Sequence, residues 1–143
     1  MTRHILCSVD LTHIENAKSI LLESDRLAGL YGATLSVMTV LPDYGSSWVG
    51  SFFKDGTLRE ASAAADTALH ELVSETLPDR DQVQHIVEIG VVYEEVLKMI
   101  PKCGADLVIV GAHKPDMADK LLGPNAARVA RLAPVSTLVL RLE

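Results

Sequence analysis

Residues 106 to 131 read Asp-Leu-Val-Ile-Val-Gly-Ala-His-Lys-Pro, then Asp-Met-Ala-Asp-Lys-Leu-Leu-Gly-Pro-Asn, then Ala-Ala-Arg-Val-Ala-Arg. A short apolar run closes at Gly111, an 11-residue polar loop follows, and Gly123, Pro124 and Asn125 open a helical pattern. Strand, loop and glycine at a helix start are the general apparatus for seating a phosphate. The first N–H groups of a helix point outward without partners, and the helix dipole favours negative charge there. Connections of this kind usually take about two to six residues, so the longer one asks for a functional reason. The segment predicts a small nucleotide-binding domain of the α/β class.

Outward from this segment, β-type apolar runs recur at residues 4–9, 34–41, 83–89, 106–110 and 136–142. Helical patterns separate them. The first helix has Thr12 and Glu15 spaced as a capping box, a stripe of Ala17, Ile20, Leu21, Leu27 and Ala28, and Gly32 as its stop. The second carries Leu58, Ala61, Ala65, Leu69, Leu72 and Val73 and ends at Pro78. The third opens after Gly90 with Glu94 and Glu95 in its first turn, buries Val92, Val96 and Ile100, and stops near Pro101. The fourth follows Gly123 and buries Ala126, Val129, Ala130 and Ala133 before Pro134. Strands alternating with helices imply βαβ crossovers and a mostly parallel sheet covered on both faces. The third strand alternates most clearly, as an edge strand would, and strands one and four are the most apolar and central.

The 143 residues fit one domain, 1–143, with a net charge of −6 that argues against nucleic acid or anionic lipid as partners. No apolar run approaches the ~20 residues that span a bilayer, and the N-terminus lacks a signal-peptide pattern. A cytoplasmic location is expected. The two cysteines, Cys7 and Cys103, have no metal-ligand or disulfide spacing, and the histidines are never spaced like metal ligands. No catalytic constellation emerges, so any ATP hydrolysis is expected to be slow. The least regular stretch, residues 42–57, gathers Trp48, Phe52 and Phe53. It is expected to cover the pocket mouth, to form a subunit contact, or to pack on its own core.

With these pieces in place, the chain resembles the universal stress protein family along its whole length. The resemblance lies in Val-Asp-Leu-Thr after the first strand, Thr-Val-Leu-Pro after the second and Gly-Val-Val-Tyr-Glu-Glu-Val-Leu opening the third helix. It is carried furthest by Ala105 to Pro115 running on to Leu-Leu-Gly-Pro-Asn-Ala-Ala-Arg. It implies a five-stranded parallel sheet in the order 3-2-1-4-5 with helices on both faces, the adenine nucleotide alpha-hydrolase-like, Rossmann-type arrangement. It also implies a homodimer, and ATP binding in many but not all members. The family motif is Gly, two residues, Gly, nine residues, Gly, then Ser or Thr. Gly111 matches the first glycine and Gly123 the third. Lys114 stands where the second is expected, the loop is one residue shorter, and Pro124 replaces the hydroxyl residue. A branch of the family with His-Arg-Pro in this loop shares the shorter spacing.

In the implied order, ligands sit where the strand order reverses, between strands one and four, whose ends are Asp10 and Gly111. Asp10 is expected to bond the nucleoside or help hold Mg2+ on the phosphates, or else to belong to a turn or cap the first helix. Val40 matches a position whose backbone meets adenine in the family, although by itself it reads as ordinary core. Gly111 and Gly123 permit close approach by a ligand, and equally serve tight turns. Pro124 suits the first helical position but takes one donor from a phosphate, leaving the N–H groups of Asn125 and Ala126 and the Asn125 amide. His113, Lys114, Lys120 and Arg128 either neutralise phosphate or are simply solvated. The leading expectation is a stress-response regulator that binds ATP or a related adenine nucleotide. The alternatives are a nucleotide-independent dimeric protein acting through an unidentified protein partner, and a weak ATPase. In the implied order, strand 136–142 is an apolar sheet edge, expected to pair with its copy in a homodimer.

Overall fold

The computed structural model describes residues 2–42, 55–112 and 123–142. Trp48, Phe52 and Phe53, and the loop residues His113, Lys114 and Lys120, lie outside them. In chain order the elements are β1 (His4–Ser8), α1 (Ile14–Tyr31), β2 (Thr34–Leu41), α2 (Asp55–Thr76), β3 (Val83–Ile89), α3 (Val92–Cys103), β4 (Leu107–Ala112), α4 (Pro124–Leu132) and β5 (Ser136–Arg141). The strands form one five-stranded sheet in the order β3-β2-β1-β4-β5, and every pairing is parallel. Alternate residues of β1 face opposite ways. Ile5 and Cys7 join Ile20 and Leu21 of α1 and Leu69 and Val73 of α2, whereas Leu6 joins Val96 and Ile100 of α3 and Val129 of α4. Each face therefore buries its own layer of apolar side chains, the dominant favourable contribution to folding.

Local details depart from the sequence patterns in physically informative ways. The capping box does not form: the α1 N-cap is His13, with no side-chain cap. Thr12 instead turns to Asp10, whose Oδ1 accepts both the Thr12 N–H at 2.9 Å and its hydroxyl at 2.6 Å. Gly32 ends α1 as expected, at φ 65°, where a side chain would be strained. Ser24 is fully buried within the apolar face of α1 because its hydroxyl donates to the Ile20 carbonyl at 2.7 Å. α3 runs through Pro101 to Cys103 and closes on Gly104 at φ 72°. Pro101 is exposed in the last turn, where the helix loses one N–H. Ala61 and Ala130, expected in the core, are exposed, and Ala133 is only half-buried. Leu69 and Val129, read on the same stripes, are buried as expected.

Candidate functional site

A cavity of about 380 Å³ opens beyond the C-terminal ends of β1, β2 and β4, where the strand order reverses. Its walls are largely aliphatic: Val9, Ile20, Val40, Leu41, Val92, Val96, Val110, Val129 and Leu142. Polar groups enter from two sides. Asp10, Thr12, His13 and Asn16 come from the β1–α1 turn and the start of α1, and Gly123, Pro124, Asn125 and Ala126 from the start of α4. An apolar slot with polar groups at its ends suits a flat, partly charged ligand.

Seven sequence-predicted positions come together here: Asp10, Val40, Gly111, Gly123, Pro124, Asn125 and Ala126 all line the cavity. His113 and Lys114 lie outside the described residues. Thr39, Leu41 and Pro42 at the end of β2, and Val92 and Val96 on α3, also line the cavity; they fall in stretches that carry the family resemblance but were not named as site residues. The rule that ligands sit beyond strand C-termini would have found the first three; Val92 and Val96 read only as buried helix positions.

The two motif glycines do different work. A Cβ on Gly111 would lie 2.6 Å from Leu142 Cδ1 and 2.8 Å from Ile20 Cδ1, so this glycine lets protein side chains close behind the cavity. A Cβ on Gly123 would meet no atom of the described residues within 4 Å. With φ −59° and ψ 160°, Gly123 is also not required by backbone conformation. Pro124 occupies the first turn of α4, and the first intrahelical donor is Ala127, whose N–H reaches the Gly123 carbonyl at 3.0 Å. The N–H groups of Asn125 and Ala126 are thus the donors that α4 presents beyond its own ladder. The Asn125 side chain is already engaged, its Oδ1 accepting the Tyr93 N–H at 3.2 Å. Arg128 neither lines the cavity nor stands solvated on its own: its guanidinium carbon lies 4.6 Å from the centroid of the Tyr93 ring.

Asp10 is a turn residue first. Its Oδ1 holds Thr12, and its Oδ2 accepts from His13 Nδ1 at 3.0 Å. Partial burial pushes the carboxyl up, but the Thr12 hydroxyl and amide and His13 together outweigh it and hold it below its ordinary value. These three bonds use both lone pairs of Oδ1 and one of Oδ2, leaving one acceptor site on Oδ2. No group of three His, Cys, Asp or Glu among the described residues could hold a metal ion. Cys7, fully buried beneath the site, is pushed up to about 12 by that burial and stays a protonated core thiol. A second crevice, about 410 Å³, runs between Leu22 of α1 and Leu77 just after α2. There Arg80 is paired with Asp25, and Asp79 and Asp81 add negative charge that disfavours an anion.

Comparison with known proteins agrees with this architecture. The model of the universal stress protein family matches residues 1–141. Universal stress protein G of Shigella flexneri is 29% identical over 143 residues, covering 99% of this chain and 100% of the relative. Among solved structures, a universal stress protein from Archaeoglobus fulgidus in complex with dAMP superposes with a TM-score of 0.67 at 18% identity, over 96% of each chain. A universal stress protein in complex with cAMP superposes with a TM-score of 0.69 at 16% identity, over 98% of this chain and 97% of the other. At these identities the structural likeness speaks for the fold. Among the described residues no helix is long and apolar enough to cross a membrane.

Proposed function

The chain belongs to the universal stress protein family, and from that premise we propose that it is a cytoplasmic stress-response regulator that binds ATP or a related adenine nucleotide in the cavity beyond β1 and β4. The observation that carries this reading is the open start of α4. Among the described residues nothing requires glycine at position 123, and the next two N–H groups lie beyond the ladder of α4 at the cavity edge. Phosphate seats there, on the positive end of the helix dipole. The purine takes the aliphatic slot that includes Val9, Val40 and Val110. Relatives of the same fold in complex with dAMP and cAMP support this ligand class. Mg2+, where present, comes with the phosphates, and Asp10 at the cavity edge helps hold it there. Equilibrium titration with labelled ATP tests the proposal, with saturable binding expected. Its absence would favour a nucleotide-independent interaction protein. Phosphate release over many turnovers is expected to be slow.

A homodimer belongs to the same proposal. β5 is a sheet edge, and Leu138, Val139 and Leu140 stay only half-buried within one chain. Leu142, by contrast, is buried against the α1 face beyond the end of the strand. Antiparallel pairing of β5 with its copy closes the edge by a two-fold contact. Light scattering should give twice the 15.4 kDa chain mass, and Val139→Pro should shift it to monomer; a monomeric parent rejects the dimer.

A further inference from the structure

We propose that Asn125 is a positioning residue for the cavity, capping α3 from the first turn of α4 and thereby fixing the two helix starts that wall the ligand. The inference rests on the nucleotide reading above. α3 begins after Val91, which makes no side-chain cap, and valine is among the poorest residues at that position. The N–H of Tyr93 belongs to the first turn and has no partner within its own helix. It finds one in Asn125 Oδ1 at 3.2 Å, 32 residues along the chain. Arg128, one turn further along α4, lays its guanidinium 4.6 Å from the Tyr93 ring centroid and closes the same seam. Val92 and Val96 stand on one side of this seam and Ala126 and Val129 on the other, and all four line the cavity.

Asn125 therefore has two ends with different tasks. Its backbone N–H is one of the donors that α4 presents at the cavity, and its side chain holds α3. A ligand that fixes the start of α4 also fixes the cap of α3, and by linkage an ordered α3 start favours the ligand. Saturating nucleotide should accordingly slow exchange of the Tyr93 amide hydrogen.

The test compares the parent, Asn125→Ala and Asn125→Asp, using AMP and adenosine as probes and the Tyr93 amide exchange rate as a third readout. Asn125→Ala should bind both probes about fivefold more weakly, the factor that corresponds to losing one helix cap, and its Tyr93 amide should exchange faster. Asn125→Asp keeps the acceptor, so it should restore both adenosine affinity and Tyr93 protection while its charge opposes AMP. A side chain that merely touched phosphate would weaken AMP and leave adenosine unchanged. Parental adenosine affinity in Asn125→Ala, or unchanged Tyr93 exchange, overturns the inference while leaving the nucleotide reading intact. A parent that binds neither probe removes both.

Discussion

The two ends of the sheet use their polar groups differently. At the N-terminal ends of the strands the groups satisfy one another. The Asp106 carboxylate accepts the Arg3 N–H at 2.8 Å and the His4 N–H at 3.1 Å. The His4 ring bridges the Thr34 hydroxyl and, at 2.7 Å, the Ser36 hydroxyl, which in turn donates to Gln84 Oε1 at 2.7 Å. At the C-terminal ends a cavity faces the start of α4, whose first donors lie beyond its own ladder. A network closed on itself stabilises one arrangement of β1, β2 and β3. At the cavity end Asp10, Thr12 and His13 also bond one another, but the N–H groups of Asn125 and Ala126 lie beyond their own helix ladder beside an apolar slot. One end of the sheet holds the fold together and the other carries the cavity.

The largest effect should come from breaking the closed end. Ser36 is fully buried, so Ser36→Ala takes the hydroxyl partner from half-buried His4 Nε2, whereas exposed Gln84 can turn to water. It should lower stability by about 1–3 kcal/mol, read as a fall in the urea midpoint. Nucleotide affinity should stay at the parental value, because the lesion lies at the other end of the sheet. A loss of affinity in a folded Ser36→Ala would break the division of labour between the two ends.

The open end is sharpened by returning a donor to it. Pro124 lines the cavity without an N–H or a hydroxyl. Pro124→Ser supplies a hydroxyl, and a hydrogen bond to a charged group is worth at least ~1.5 kcal/mol, about tenfold in affinity. Titration with ATP should show tighter binding with little change in the urea midpoint. Equal or weaker binding would mean that the phosphate does not approach this turn.

The smallest effect is pH dependence from the histidines. Burial lowers the His4 pKa from its ordinary 6.5 despite the nearby Asp106. Burial, aided by the charge of stacked His70, lowers His85 in the same direction. Both are therefore held neutral in the folded state and protonate more readily in the unfolded chain. Their contribution is complete above the ordinary value and is lost as pH falls from there through the lower folded values. The urea midpoint should drop modestly between about pH 7.5 and about pH 5.5, the window set by that linkage. Stability that is flat or rising with acidity across this window contradicts the assignment.

The sequence exposed the sheet because its strands are short apolar runs with glycine and proline at their ends, and because the edge strand β3 alternates. It exposed the cavity because strand ends and helix starts are adjacent in sequence: Asp10 follows β1, and Gly123 opens α4. Contacts between distant segments were not legible. Gly111 and Gly123 read alike, yet one is required by Leu142 and Ile20 and the other by no described protein atom. The Thr12–Glu15 pattern failed because Asp10, two residues earlier, takes the Thr12 hydroxyl and amide for a tighter turn. The bond from Tyr93 to Asn125 joins two helix starts that no local periodicity relates.

Calorimetric titration of ATP into the parent and into Gly123→Val tests the central claim most directly. A valine Cβ at position 123 meets no described protein atom within 4 Å, so the variant should fold with the parental urea midpoint. Its side chain should nevertheless occupy the space where phosphate seats. The account predicts saturable binding to the parent and at least tenfold weaker binding to the variant, about 1.4 kcal/mol. Equal affinity in the folded variant, or no binding to the parent, would contradict it.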